Sequence, residues 1–252
     1  MRNYLIILLF LTSALSGCFG DDSSDEEERG VPGGLALACL QDDKFEKMNI
    51  HFLYEEGYEP IAMDLAKTRI QEVCDKPGGI KIMSEKIDFK IDTTWDADDI
   101  RDARWKHGGD AMDSDTLNWY FLFPSGTYTS ADTLGVAVDA STIAIFKDSV
   151  DEAEGFLGRP SKEEVERAVT IHEAGHLLGL VNLVYESPID HEDPDNEGHS
   201  NNEDSVMYWA IESNNVGNFI FGTLPDEFDA DDKSDLQGMA SGTLECEDQL
   251  WS

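Results

Sequence analysis

Residues 170–180 constrain the fold of this chain more than any other stretch. They contain His172, Glu173 and His176 in the pattern H-E-x-x-H. Residues four apart on an α-helix project from the same face, so the two imidazoles lie one turn apart and can bind a single metal ion. The spacing therefore predicts a helix that carries a metal site, with Glu173 beside the ion.

The residues around this motif also favour a helix. Pro160 and Ser161 precede it, and Ser161 with Glu164 matches the pattern of a capping box. Apolar residues follow at helical spacing on two flanks, which indicates a helix buried on more than one side. Gly179 comes next, and glycine readily adopts the left-handed backbone geometry with which many helices end.

Together, His172, Glu173, His176 and Gly179 spell H-E-x-x-H-x-x-G and resemble the metzincin clan of zinc metalloproteases. The resemblance implies an α+β, metzincin-like zincin fold: a twisted, mostly parallel sheet with helices, and a small C-terminal lobe with a methionine turn and a closing helix. It also implies Zn²⁺ as the cofactor and a peptide or protein as the substrate. Glu173 would then act as the general base that activates zinc-bound water and passes the proton to the leaving amine.

The third zinc ligand of that clan normally lies three residues after the glycine, where this chain has Asn182. Farther along, His199 precedes Met207 by eight residues and Tyr208 follows, which resembles the matrixin branch of the clan. We therefore expect a 17-residue insertion, residues 182–198, before the third ligand. The resemblance implies that His199 is this ligand and that Met207 lies beneath the metal.

Other ligand sets remain open at this point. His191 is an alternative third ligand, and is otherwise a solvated loop histidine. In another class of zinc protease the third ligand is a glutamate on a later helix, for which Glu203 and Glu212 are candidates, but that class does not explain Gly179 or Met207. Carboxylates near His191 could also bind Ca²⁺, although their spacing matches no EF-hand. These are Glu192, Asp193, Asp195 and Glu197.

The amino-terminal residues resemble those of a lipoprotein precursor. Residues 1–17 contain Arg2 and an apolar run too short to span a bilayer, which predicts a signal peptide. The sequence Leu-Ser-Gly-Cys ends at Cys18 and resembles a lipobox, which implies cleavage there and lipid on Cys18. Residues 18–34 include a low-complexity acidic run that favours an extended tether. We therefore expect a protein at the cell surface or elsewhere outside the cytoplasm, anchored to the membrane by lipid.

Residues 35–252 are then predicted to form the metalloprotease domain, with an N-terminal lobe of about 35–179 and a C-terminal lobe of about 180–252. The resemblance implies an edge strand that pairs with an extended substrate, and segment 135–138 is the candidate for it by its order in the chain. Residue patterns predict strands at 48–54, 117–123, 135–138 and 142–146, a strand or strand pair at 79–91, and helices at 60–73 and 97–106. The resemblance to matrixin-like domains implies a closing helix at 224–237.

Charge and cysteine content limit the partners and the compartment. The formal net charge is -35, and such a surface repels nucleic acid and anionic lipid headgroups. Besides Cys18, the chain has Cys39, Cys74 and Cys246, which in an exported protein predict one disulfide and one remaining thiol, with the pairing left open.

These features favour a membrane-anchored zinc endopeptidase. The alternative is a non-catalytic surface lipoprotein that uses the zinc fold to bind a peptide or protein partner. The intact Glu173 favours the enzyme over the binding protein, since binding alone does not require a general base.

Overall fold

A computed structural model describes residues 29–90, 93–155, 158–218 and 223–251. The predicted signal peptide, Cys18 and the acidic run up to residue 28 lie outside the described residues. Arg29, the first described residue, already contacts the body of the protein: its carbonyl accepts a hydrogen bond from Ala140 N at 3.0 Å. Residues 29–34, which the sequence placed at the end of the tether, therefore contact the folded body. Within the described ranges, no helix has both the length and the apolar character required to cross a bilayer.

Mostly parallel strands form the central sheet. Four strands, β2, β1, β5 and β8, are parallel neighbours in that order; β7 pairs antiparallel with β8 at one edge, and the short β4 pairs antiparallel with β5. The remaining strands form the pairs β3–β6 and β9–β10. The strands are β1 (Lys47–Tyr54), β2 (Ile80–Lys86), β3 (Thr94–Trp95), β4 (Met112–Asp113), β5 (Thr116–Phe123), β6 (Thr127–Tyr128), β7 (Gly135–Asp139), β8 (Thr142–Ile145), β9 (Glu192–Asp193) and β10 (Asn196–Ser200).

Helices cover the sheet. They are α1 (Ala36–Leu40), α2 (Met63–Val73), α3 (Ala97–His107), α4 (Lys147–Glu152), α5 (Lys162–Leu177) and α6 (Ala230–Ala240), with 3₁₀ helices at Trp209–Glu212 and Asn214–Asn218. The predicted strands at 48–54, 117–123, 135–138 and 142–146 and the helix at 97–106 are confirmed within a residue or two. Three predictions need correction: the helix predicted at 60–73 begins at Met63, the strand or strand pair predicted at 79–91 ends at Lys86, and the helix predicted at 224–237 begins at Ala230, where Asp229 caps it.

Strand β5 shows why the sheet lies in the middle of the protein. Seven of its eight residues are buried, a pattern typical of a strand covered on both faces. Trp119 and Phe121 contribute to the larger core, which includes residues of α2 and α5. Tyr120 and Leu122 point to the other face and pack in a smaller core with Trp95 of β3. The sheet therefore provides a rigid support for α5, the helix that contains the H-E-x-x-H motif.

A disulfide joins Cys39 of α1 to Cys74 at the end of α2. Cys246 is the remaining thiol and is partly buried. The expectation of one disulfide and one thiol in the domain is confirmed, and the structure supplies the pairing that the sequence left open.

Candidate metal centre

Helix α5 begins and ends as its sequence predicts. Ser161 Oγ accepts a hydrogen bond from Glu164 N at 3.2 Å, and the Glu164 carboxylate accepts one from Ser161 N at 2.8 Å, which completes the capping box. The helix ends at Leu177. Gly179 follows with φ of 85°, the left-handed conformation that turns the chain away from the helix axis.

His172 and His176 point their Nε2 atoms at each other on the buried side of α5, 3.2 Å apart. Each Nδ1 lies against a backbone carbonyl oxygen, that of Val206 at 2.7 Å for His172 and that of Leu180 at 2.9 Å for His176. A carbonyl can only accept, so each Nδ1 carries the proton and each Nε2 presents a lone pair. Two lone pairs this close repel unless a cation lies between them.

The structure brings His199 of β10 to the same place. Its ring centroid is 5.2 Å from that of His172 and 5.1 Å from that of His176, and its Nδ1 lies 3.1 Å from Glu197 O. The carbonyl again fixes the proton on Nδ1, leaving Nε2 free to bind an ion. The insertion before His199 therefore does not separate this residue from the two histidines of α5.

A carboxylate completes the group. Glu212 ends the 3₁₀ helix Trp209–Glu212, with Oε1 3.3 Å from His199 Nε2 and Oε2 3.7 Å from His172 Nε2. Burial alone would raise the pKa of Glu212, but the imidazoles beside its carboxylate lower this pKa overall. Sequence reasoning considered Glu212 only as the third ligand of a different protease class, because nothing in its spacing from Met207 shows that the chain turns back to the histidines.

Glu173 lies beside this group and is fully buried. Neither carboxylate oxygen accepts a well-aligned hydrogen bond from the described residues. Burial and the charge of Glu212 raise the pKa of Glu173 well above its usual value, and the Ala137 backbone amide partly opposes this effect. A buried carboxylate without strong partners is a candidate for proton transfer rather than for structural support.

The start of β7 approaches the carboxylate closely because residue 135 is a glycine. A Cβ atom at Gly135 would lie 2.8 Å from Glu173 Oε1 and 2.7 Å from Val169 Cγ1. Strand β7 is at the edge of the described sheet, as predicted for segment 135–138. A larger residue at position 135 would displace Glu173, so the glycine allows the edge strand and the carboxylate to be neighbours.

Met207 packs against Gly175 of the helix that carries the two histidines. It is fully buried, and its carbonyl accepts a hydrogen bond from Ser200 N at 2.8 Å, which joins it to the strand that carries His199. A Cβ atom at Gly175 would lie only 2.2 Å from Met207 Sδ. Sequence reasoning assigned no role to Gly175, although a glycine inside a helix suggests a close approach by another part of the chain.

The group meets the requirements of a metal site. Two donor atoms that each bind a tetrahedral Zn²⁺ at about 2.05 Å lie about 3.3 Å apart, close to the 3.2 Å between the Nε2 atoms of His172 and His176. Burial and the neighbouring His172 and His199 lower the pKa of His176 to about 3, so its imidazole is neutral and can act as a ligand. Among the described residues, His172, His176, His199 and Glu212 form the one such group whose ligand atoms lie within 4.8 Å of one another.

Comparison with known proteins gives limited similarity. No family model and no curated protein matches the chain. Among solved structures, the chain is similar to an archaemetzincin from Methanopyrus kandleri, with 14% identity, a TM-score of 0.49, and coverage of 76% of this chain and 94% of that one. It is also similar to an archaemetzincin from Archaeoglobus fulgidus in complex with malonate, with 13% identity, a TM-score of 0.39, and coverage of 75% and 98%. These likenesses are too weak to assign a function, which is therefore inferred from the residues of this chain.

His191, the alternative third ligand, lies elsewhere. Its Nε2 is 2.9 Å from Asp235 Oδ2 of α6, and the same carboxylate accepts hydrogen bonds from Tyr185 OH at 2.9 Å and Ser187 Oγ at 2.8 Å. His191 and Asp235 are both buried, so the expectation of a solvated loop histidine is wrong. This network attaches the inserted segment to α6. Sequence reasoning missed it because nothing local pairs His191 with Asp235, which lies 44 residues farther along the chain.

Two of the acidic residues near His191 that were considered for Ca²⁺ accept hydrogen bonds from residues in and beside the β9–β10 hairpin. Glu192 accepts hydrogen bonds from Asn182 Nδ2 and Gly198 N, and Asp193 accepts from Asp195 N and Asn196 Nδ2. These bonds shape the β9–β10 turn that presents His199.

Proposed function

We propose that this protein is a zinc-dependent endopeptidase with a metzincin-like site. His172, His176 and His199 would hold the ion, and Glu173 would act on the substrate. The observation that carries the proposal is the convergence of three histidine Nε2 atoms, each with its proton fixed on Nδ1, next to a buried and weakly bonded carboxylate. Three histidines with an adjacent carboxylate are the side chains that metal-assisted hydrolysis needs.

Glu173 performs the proton transfers in this proposal. Bound zinc supplies Lewis acidity, which polarises the scissile carbonyl and makes an attacking water more acidic. Glu173 accepts the proton of that water and delivers it to the nitrogen of the leaving amine. Burial raises the pKa of Glu173, which makes its carboxylate a stronger base than an exposed glutamate. The same environment favours the protonated form that must then act as the acid.

The proposed substrate is an extended peptide that lies along β7. An edge strand offers unpaired backbone groups to which a peptide strand can be added. The approach of Gly135 to Glu173 would bring such a peptide past the carboxylate. At the other end of the strand, Arg101 donates to Val138 O through Nε at 2.9 Å and Nη2 at 2.6 Å, so this carbonyl is already occupied. Pairing would therefore be confined to the part of β7 near Gly135.

In the same proposal, Met207 forms the methionine turn under the ion, and α6 is the closing helix of a small C-terminal lobe. The contact between Met207 and Gly175 and the bond between Met207 O and Ser200 N support this role. The burial of Asp235 against His191 supports the attachment of α6 to the inserted segment.

We also propose that the chain is exported and anchored by lipid on Cys18. The apolar run, the sequence Leu-Ser-Gly-Cys and the acidic residues that follow support this localisation. Mass spectrometry of the chain purified from membranes tests it: a lipidated first residue at position 18 is expected, and a mature chain that starts elsewhere without lipid would contradict it.

The decisive experiment compares peptide cleavage with zinc content. Wild-type protein should cleave a quenched peptide library, and a chelator should abolish the cleavage. Glu173→Gln should retain one zinc per chain and lose at least about 100-fold in kcat, because general acid–base catalysis typically contributes this much. Zinc content is measured by atomic emission, and turnover by fluorescence.

Histidine variants provide the matched control. His199→Ala should lose zinc, whereas His191→Ala should retain it, because His191 bonds Asp235 away from the group. Zinc binding without chelator-sensitive turnover in the wild type would favour a non-catalytic binding protein. Full activity of Glu173→Gln would refute the role given to that residue.

A further inference from the structure

The carboxylate of Glu212 occupies a place that an open catalytic site would leave to water or substrate. We propose that Glu212 is a fourth protein ligand of the ion and closes the site in its resting state. This inference rests on the proposed function, since it requires that the three histidines hold a metal. It goes further because it assigns a direct metal bond to Glu212.

The distances between the donor atoms are close to those of a tetrahedral metal site. In a tetrahedral zinc site with ligand bonds of about 2.0–2.2 Å, neighbouring donor atoms lie about 3.3–3.6 Å apart. Here His172 Nε2 and His176 Nε2 are 3.2 Å apart, His199 Nε2 and Glu212 Oε1 are 3.3 Å apart, and His172 Nε2 and Glu212 Oε2 are 3.7 Å apart. Oε1 of Glu212 therefore stands at the distance of a fourth ligand from His199, and Oε2 lies just beyond that distance from His172. Glu173 is outside this group of ligand atoms.

The backbone holds Glu212 in place. Its carbonyl accepts a hydrogen bond from Leu134 N at 2.7 Å, and an antiparallel bridge joins Ser213 to Thr133. The preceding residues of the 3₁₀ helix, Ala210 and Ile211, are buried. The carboxylate thus projects from a fixed segment that is hydrogen-bonded to the residues leading into β7, rather than from a free surface loop.

Charge balance favours a bond to the ion. Three neutral imidazoles leave the two positive charges of Zn²⁺ uncompensated in a mostly buried position. A charge is costly to bury unless an opposite charge accompanies it. Glu212, about two-thirds buried, supplies one negative charge at the ion itself.

A fourth protein ligand changes the behaviour of the site. Catalytic zinc sites keep one position for water or substrate, whereas sites with four protein ligands are closed. With Glu212 bound, an external ligand has to displace the carboxylate or expand the coordination. The resting protein should therefore hold zinc tightly and bind small anions weakly.

The test measures metal binding rather than turnover. The mature chain, freed of metal, is titrated with Zn²⁺ against a chromophoric chelator, and its Co²⁺ form is titrated with azide while the visible spectrum is recorded. Glu212→Gln and Glu212→Ala should each raise the zinc Kd by at least about 10-fold, the loss typical even for residues that only support a ligand. Their Co²⁺ spectra should change, and azide should bind more tightly than to the wild type.

Glu203→Gln is the matched control, because it removes the same charge from an exposed position in the same segment. It should leave the zinc Kd, the Co²⁺ spectrum and the azide affinity at wild-type values. Thermal unfolding of the metal-free variants shows whether each one folds, and the two substitutions at position 212 provide separate tests.

The possible failures can be distinguished. If the wild type binds zinc tightly and both folded Glu212 variants keep its zinc Kd and Co²⁺ spectrum, Glu212 is not a ligand, and the proposed function is unaffected. If Glu203→Gln changes the zinc Kd as much as Glu212→Gln does, the effect is one of general charge and the inference is wrong. If the wild type binds no zinc, the proposed function itself fails.

Discussion

At the scale of single residues, Gly175 shows how closely the metal helix is packed. Glycine in a helix interior is about 1 kcal/mol less favourable than alanine. An isolated helix would therefore be stabilised by replacing Gly175 with alanine. In the folded protein the missing side chain leaves room for Met207, whose Sδ would lie 2.2 Å from an added Cβ. Packing therefore opposes the intrinsic preference of the helix.

Gly175→Ala should consequently destabilise the protein. Overpacking of this kind typically lowers the free energy of unfolding by about 1–3 kcal/mol, and the displacement of Met207 should also weaken zinc binding. Urea unfolding and zinc titration measure the two effects. The double variant Gly175→Ala/Met207→Ala should lose less unfolding free energy than the sum of the losses of the two single variants. Unchanged stability of Gly175→Ala would show that Met207 does not pack there.

At the scale of elements, α6 joins parts of the C-terminal region through two buried carboxylates. Asp235 bonds His191 in the inserted segment. Asp232 accepts hydrogen bonds from Asp229 N at 3.1 Å and from Ser205 Oγ at 3.2 Å. Ser205 lies two residues before Met207 in the sequence. Burial, with the charge of Asp229, raises the pKa of Asp232 to about 7. The side chain therefore remains protonated in the folded protein at a pH where the unfolded chain has lost that proton.

This difference predicts a pH-dependent stability. Between about pH 4 and 7 the folded state binds the Asp232 proton and the unfolded state does not, so this residue contributes stability at low pH that is lost as the pH rises through 7. The effect is at most about 4 kcal/mol. Asp232→Asn should flatten the fall in urea-unfolding free energy between pH 5 and 8 relative to the wild type. Identical pH profiles for the two proteins would contradict the assignment.

The elements also show what could be predicted from sequence. The start and end of α5 followed from Ser161, Glu164 and Gly179 because capping depends on neighbouring residues. The strands followed from apolar patterns because these patterns also depend only on residues close in sequence. The contacts of His191 and Glu212 did not follow, because each depends on a distant partner, Asp235 for one and the histidines of α5 and β10 for the other. The late start of α6 reflects a cap by Asp229, one of several acidic residues that could have begun the helix.

At the scale of the whole molecule, the disulfide increases the stability of the folded state and the net charge decreases it. The net charge of -35 produces self-repulsion in the folded state, which most of the ion pairs, being exposed, offset only weakly. The Cys39–Cys74 disulfide closes a loop over 35 residues of sequence and restricts the unfolded chain. The linked residues belong to the main core with α2 and β1.

Reduction of this disulfide should therefore be destabilising. The double variant Cys39→Ser/Cys74→Ser is expected to lose about 3–4 kcal/mol of unfolding free energy, the entropy gained by the unfolded chain when a loop of this length opens. Urea unfolding in non-reducing buffer measures the loss. Cys246→Ser is the control and should unfold as the wild type does. A reducing agent should lower the stability of the wild type but not that of the double variant.

The three histidines come together by different routes, two along α5 and one on the β9–β10 hairpin at the end of the inserted segment. A nascent chain that has formed α5 alone offers only a pair of imidazoles, which bind a divalent cation much less tightly than three. We therefore expect firm retention of a metal only after β10 has brought His199 to the other two histidines. Under the proposed function, a chain in which His199 has not yet joined the other two histidines would therefore have no complete catalytic site.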